Sequence, residues 1–350
     1  MHEKGMHEKG KPIAVLVVVS LIGMIFAGAF LGALHHLEPH EVPVAVVAPD
    51  GDVDRLGTML DKKADGAFDL TSYGDEKKAR DALLERDVDA VFVPGQPAGQ
   101  PAGQGGGAGG AQGGAKLIIA GANGKIEEAA LTMAFQGAGQ ALGQQVTVED
   151  VRPLPHDDNN GVSSIFFVIT TVIPAVILAV MLAVAVPKAG AARRIGLLAG
   201  GAVAVGGANA WVAAGLTGAL TGVPLELWGL AALLVFAVGA FAAGALRVGG
   251  PPALGLTGLL FIPIGVPASG GPIGPQFIPQ WFAAIGDWLP VAAAIDAVRN
   301  TVYFDGNAIG GPLLVLAVWA VAGVALVLVP KKAREQQAEQ GRQEPQERAV

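Results

Sequence analysis

Cysteine is absent from the 350-residue chain. That excludes disulfides, thiol nucleophiles and thiolate metal sites, so no part of the fold depends on oxidation. Charge is also scarce: 15% of residues are charged against 52% hydrophobic. This balance departs from soluble globular proteins and makes an integral membrane protein the leading class. No GxxxxGK[ST] phosphate loop occurs anywhere, so the chain carries no ATP site of that kind.

What is present is a series of long apolar runs. A hydrocarbon core of about 30 Å takes about 20 helical residues, and 12–34, 162–187, 195–218, 225–246 and 312–330 meet that length. A sixth run, 253–269, is shorter and interrupted by Pro263 and Pro267; it counts as a span because the charge pattern requires one there. Lys/Arg cluster at Lys4, Lys9 and Lys11, at Lys188, Arg193 and Arg194, at Arg247, and at Lys331, Lys332 and Arg334. These are alternate connections, as the positive-inside rule demands when both termini are cytoplasmic. The predicted topology has 1–11 and 331–350 in the cytoplasm, 35–160 outside it, and 161–330 as a five-span membrane domain. The first run is too long for a signal-peptide core of roughly 7–15 residues and reads as an uncleaved anchor. Its Gly28–Gly32 spacing would admit a close helix neighbour, though glycine is so abundant that chance explains it equally well. The opening MHEKGMHEKG is an exact five-residue repeat, read as a start-site or tail feature.

The outer segment is acidic, with 10 Lys/Arg against 20 Asp/Glu over residues 35–160. Its pattern alternates strand and helix: strands at 42–52, 67–72, 88–95, 116–120 and 146–151, and helices after 52, over 75–86 and over 125–144. Such alternation predicts a small α/β domain with partly parallel pairing. Within it, 94–115 is a Gly/Gln-rich low-complexity loop with a PAGQ repeat, expected to be disordered. PDGD after the first strand is not followed by GxGxxG, and Asp50 or Asp52 as a helix cap explains it. His35, His36 and His40 leave the first span while His156, Asp157 and Asp158 enter the second. If those ends met, imidazoles and carboxylates could converge on a metal; otherwise this is a solvated juxtamembrane segment.

Spans two to six hold almost no ionisable residue, unlike a proton- or sodium-coupled pump. Their polar residues include Thr170 and Thr171 before Pro174, Asn209 and Thr217. Thr171 and Asn209 are the candidates to line a conduit, and interhelical hydrogen bonding is the plainer role. The connection 270–311 is broken by Pro272, Pro275 and Pro279, and Trp281 and Trp288 suit an interface. In 291–302, Val291, Ile295, Val298 and Val302 share one helical face with Asp296, Arg299 and Asn300 off it. The expectation is an amphipathic helix lying at the outer interface or re-entering it shallowly, with Asp296 and Arg299 able to reach water or each other as an i,i+3 pair.

Taken together, an anchor helix, an outer domain opening with PVAVVAPDGD and reaching VDAVFVPG, PLPHDDNNG before a block of spans, and SGGPIGPQFIPQWFAAIGDWLPVAAAIDAVRNTVYFDG before the last one resemble ABC-2-type transporter permeases. The phage-infection-protein-like branch, with its nitrosoguanidine-resistance-type members, is the nearest in pattern. The resemblance implies a non-enzymatic export component for a hydrophobic or amphipathic compound in the plasma membrane, a separate ATPase subunit, a homodimer, and no cofactor or nucleic acid. It makes Trp288, Pro290, Asp296 and Arg299 candidates for an outer gate. The competing expectation is an envelope receptor or assembly scaffold without transport activity.

Overall fold

The computed structural model describes residues 2–35, 37–95 and 114–330, with side chains from residue 16 onward. His36, most of the Gly/Gln-rich loop, the tail 331–350 with Lys331, Lys332 and Arg334, and the side chains of Lys4, Lys9 and Lys11 lie outside the described residues. The fold is helical with five to six candidate spans and a five-stranded mixed sheet region inserted early in the chain.

Helix α1 (His2–Leu34) carries the first span and continues back through the five-residue repeat. At 33 residues and 1.5 Å per residue it is about 50 Å long, well beyond the hydrocarbon core. Strands β1 (Val42–Val46), β2 (Phe68–Ser72), β3 (Ala90–Val93), β4 (Ala115–Ile119) and β5 (Val146–Asp150) follow, with α2 (Asp50–Asp61), α3 (Glu76–Leu84) and α4 (Lys125–Ala141) between them. The strand order is β2-β1-β3-β4-β5, and only β3 and β4 pair antiparallel. β3 is buried along its whole length, as its apolar AVFV run requires, whereas β2 alternates like an edge strand. Phe92 and Phe135 meet at 5.0 Å between ring centroids, with Phe68 against Phe135 at 5.7 Å.

The membrane half starts at α5 (Ser163–Ala185) and α6 (Ala191–Ala210), whose last turns widen into a π-helix at Trp211–Leu216. Helix α7 (Pro224–Leu259) is not one rod. Gly250 has φ 70° and ψ −161° and is followed by Pro251 and Pro252, so the helical ladder breaks there. Phe241 and Phe261 lie on opposite sides of that break, yet their ring centroids are 5.9 Å apart and both pack on Trp319. Twenty residues of continuous helix would separate them by about 30 Å. The chain therefore doubles back at Gly250, and its second arm runs through a π-turn (Leu260–Ile264) into α8 (Gly265–Ala268). This second arm is the proline-interrupted sixth run of the sequence. After it come α9 (Gln280–Gly286), α10 (Pro290–Tyr303) and α11 (Gly310–Leu328).

Helix α7 is the hub, packed against α5, α6 and α11. The contacts depend on small residues: a Cβ added to Gly206 would lie 2.6 Å from the Ala232 nitrogen. Such close backbone approach is how membrane helices gain packing energy when lipid supplies no hydrophobic drive. The sheet, the start of α5 and the connections 217–223 and 269–309 occupy one side of the bundle. The turns 186–190 and 247–252 occupy the other.

Candidate functional site

The polar chemistry concentrates where the sheet region meets α10. Helices α9 and α10 bend by 81° at the break before Pro290, and α10 wedges against α5, α7, α8 and α11. Arg299 was expected to reach water or Asp296 from the polar face of this helix, and the structure corrects this, while Asp296 itself is half-buried. Ala292, Ala293, Ala294 and Ala297 bury the remaining faces, and Arg299 is only 3% exposed. Alanine gives weak periodicity but permits close packing all round, so the amphipathic pattern overstated the solvated face. Nor does Arg299 bond Asp296: its guanidinium donates to the Gly271 carbonyl at 3.2 Å, and its Nε has no partner in the described structure. Trp288, by contrast, is 77% exposed, while its carbonyl accepts the Trp319 indole N–H at 2.7 Å. Pro290 occupies the first turn of α10, where its missing N–H costs nothing.

Several long-range ties join α10 and its following turn to the sheet region. Arg86 donates to Asn300 Oδ1 and stacks over the Phe304 ring at 5.0 Å, a cation–π geometry. Arg152 pairs with Asp305, and Asn307 donates to the Leu84 carbonyl at 3.0 Å. The Tyr303 hydroxyl donates to Asp158, whose other oxygen accepts the Val162 and Ser163 amides at 3.1 Å each and so caps α5. Of the four non-glycine residues with left-handed φ among those described, Arg86, Asp305 and Ala308 sit at this joint.

Beneath these ties lies a buried cluster. Asn123 donates to Asp89 at 3.2 Å and to Glu127 at 2.9 Å, and Gln276 donates to the second Asp89 oxygen at 3.1 Å. Burial pushes the Asp89 carboxyl up to about 6 against the pull of Arg86 and Arg299. Burial, reinforced by Asp89, holds the Glu127 carboxyl well above its ordinary range.

The candidate metal residues are not brought together. His35 donates to Leu31 at 2.8 Å, His156 faces Asp157 on the surface, and Asp158 is engaged as the α5 cap. Among the described residues no group of three His, Asp or Glu could hold a metal; His36 is outside them.

Asn209 and Thr171 do meet. Pro174 lacks an N–H, so the Thr170 carbonyl loses its helical donor, and Asn209 supplies one at 3.1 Å while also donating to Thr171 Oγ1 at 3.0 Å. A cleft of about 330 Å³ opens beside them, lined by Thr170, Asn209, Thr217 and Ser163 among apolar residues. Thr171 itself is fully buried behind it.

Residues 13–329 match the family described as ABC-2 family transporter protein. The chain belongs to that family. It is a multi-pass membrane component of the ABC-2 permease type, a kind that is typically non-catalytic and generally pairs with an ATPase. No curated protein and no solved structure matches it. Within this ABC-2 protein, Arg86, Asp89, Asn123, Glu127 and Gln276 were not singled out from sequence. Charged residues flanking the apolar strand VDAVFV were the available clue, but their partners lie up to 214 positions away.

Proposed function

We propose that the chain is the permease half of an exporter for a hydrophobic or amphipathic compound, working as a homodimer in the plasma membrane with a separate ATPase. The observation that carries this reading is the wedged α10, a broken element tied to the sheet domain on one side and packed into the bundle on the other. Movement of α10 would open or seal the outer end of the bundle, with Trp288, Pro290, Asp296 and Arg299 as the gate and the cleft lined by Asn209, which Thr171 backs, as a section of the route. Lys188, Arg193, Arg194 and Arg247 all fall on the side away from the sheet, which supports a cytoplasmic assignment for that side and for both termini. The ATPase would dock on 186–190, 247–252 and the length of α1 that exceeds the hydrocarbon core. The quoted motifs favour the phage-infection-protein-like branch.

Arg299→Ala tests the gate. The variant is expected to insert at normal levels and to lose tolerance to toxic amphiphiles; unchanged tolerance would remove α10 from the mechanism. Affinity capture from the native membrane tests the ATPase, which should copurify with the solubilised chain. A second reading, an envelope receptor or scaffold, draws on the exposed acidic surface around α2, with Asp50, Asp52, Asp54, Asp61 and Asp65 all exposed or partly so. Capture of an envelope protein without an ATPase would favour it.

A further inference from the structure

The cluster under the joint contains two carboxyls bridged by amides, and two amide oxygens in it, Asn123 Oδ1 and Gln276 Oε1, are buried without a donor in the described structure. Asn123 and Gln276 spend amide N–H groups on Asp89 and Glu127, whereas Gln276 Oε1 is buried with no donor in the described structure. That oxygen and Glu127 Oε2 face the same small space, the one left by the missing side chain of Gly274. A Cβ added there would lie 3.2 Å from Gln276 Oε1 and 3.6 Å from Glu127 Oε2. An ionised Glu127 would confront the amide oxygen with a second acceptor. A protonated Glu127 would bring a donor into that shared space.

We infer that Asp89, Asn123, Glu127 and Gln276 form a proton-binding site that locks the sheet domain to the broken outer segment. Gln276 is its clasp: the amide N–H donates to Asp89, and the amide oxygen shares the Gly274 space with Glu127. Asn123 sits on the sheet side of the same pair and is 3% exposed, so water does not compete for its bonds to Asp89 and Glu127. Gln276 belongs to the 269–279 stretch, whose Gly271 carbonyl receives Arg299, and its own carbonyl accepts the His40 amide at 2.9 Å. Releasing the clasp therefore loosens the seat of Arg299.

The charged groups facing the pair are Arg86, at the end of α3, and Arg299, on α10. Arg299 faces Asp296 on its own helix, and Tyr303 and Asp158 lie next to that. The direction follows from linkage. Both carboxyls hold protons more tightly in the closed joint than in water, so acid favours closure and rising pH favours opening. Burial raises the Asp89 carboxyl in the closed joint, so the closed-to-open ratio falls as that group loses its proton. Glu127 extends the fall to higher pH. The site lies in the sheet region and works whatever the membrane half carries.

The absence of cysteine makes the test direct. Spin labels on Lys62→Cys and Ile285→Cys, in full-length protein in lipid nanodiscs, report the separation of the sheet domain from α9 and α10. One short distance is expected at pH 5, with a longer population growing as pH rises through 6 to 8. Asp89→Asn with Glu127→Gln, which fixes both groups neutral and preserves a donor to Gln276, should hold the short distance throughout. Gln276→Ala should raise the long population at every pH. A wild-type distance independent of pH, opening on acidification, or a Gln276→Ala profile superimposable on wild type would each overturn the site.

Discussion

The sheet region and the helical bundle are both tightly packed, but from different materials. The sheet core is built of Phe92, Phe135, Leu117, Ile119 and Leu131, large side chains removed from water. The bundle around α7 is built of Ala231, Val235, Ala240, Ala242 and Ala243, with Gly206 and Gly323 at the crossings. In water, apolar area removed from solvent stabilises the fold by about 25 cal/mol per Å². In lipid that term vanishes and close backbone approach takes its place. Side-chain loss should therefore damage the first region, and side-chain gain the second.

The largest expected effect is Phe92→Ala, which deletes a fully buried ring in contact with Phe135. It should cost about 3–5 kcal/mol, measured as denaturant-induced unfolding of the sheet region by pulse proteolysis of the full chain in detergent. Gly206→Val sharpens the other side: overpacking against Ala232 should cost about 1–3 kcal/mol, read as a lower thermal inactivation midpoint. If Gly206→Val were neutral, small residues would not be what holds α6 on α7. Asn209→Ala comes next, at roughly 1 kcal/mol, typical of interhelical bonds in membranes. It leaves the Thr170 carbonyl unpaired, and the loss should vanish in Asn209→Ala with Pro174→Ala, where the helix regains its own donor. The smallest is Arg80→Ala. Arg80 bonds Glu149 at 2.6 Å and Glu76 at 2.9 Å, and Glu149 is held below its ordinary range chiefly by that hydrogen bond. The pair is partly solvated, so the loss should stay under about 1 kcal/mol. Because Glu149 is lowered when folded, any gain exists above its ordinary range and disappears as acid protonates it, so a loss that grew toward low pH would contradict the assignment.

How much of this was legible in the sequence follows the range of the interactions. Spans and strands are written in local hydropathy, and the outer α/β region was found that way, whereas the proline-broken arm 253–269 was counted because the Lys/Arg alternation between spans required it. The joint is not local. Nothing in ERDVDAVFV shows that Arg86 will reach Asn300, or in SGGPIGPQFIP that Gln276 will clasp Asp89. α10 was placed at a wet interface because its valines and isoleucine form one stripe, and the alanines filling the other faces carry too little hydropathy to reveal that they are buried. Asn209 and Thr171 were named together, but the reason for their contact, the carbonyl freed by Pro174, emerges only once α5 and α6 are side by side.

The reversal at Gly250 bears on how the protein is made. Its second arm contains Pro251, Pro252, Pro263 and Pro267 and would be a poor helix alone in lipid, where each lost backbone bond is costly. It is joined to the first arm with no loop between them, and the aromatic contacts Phe241, Phe261 and Trp319 exist only when the arms lie together. The two arms are therefore held as one hairpin, which Trp319 closes from α11 only after that later helix has been made.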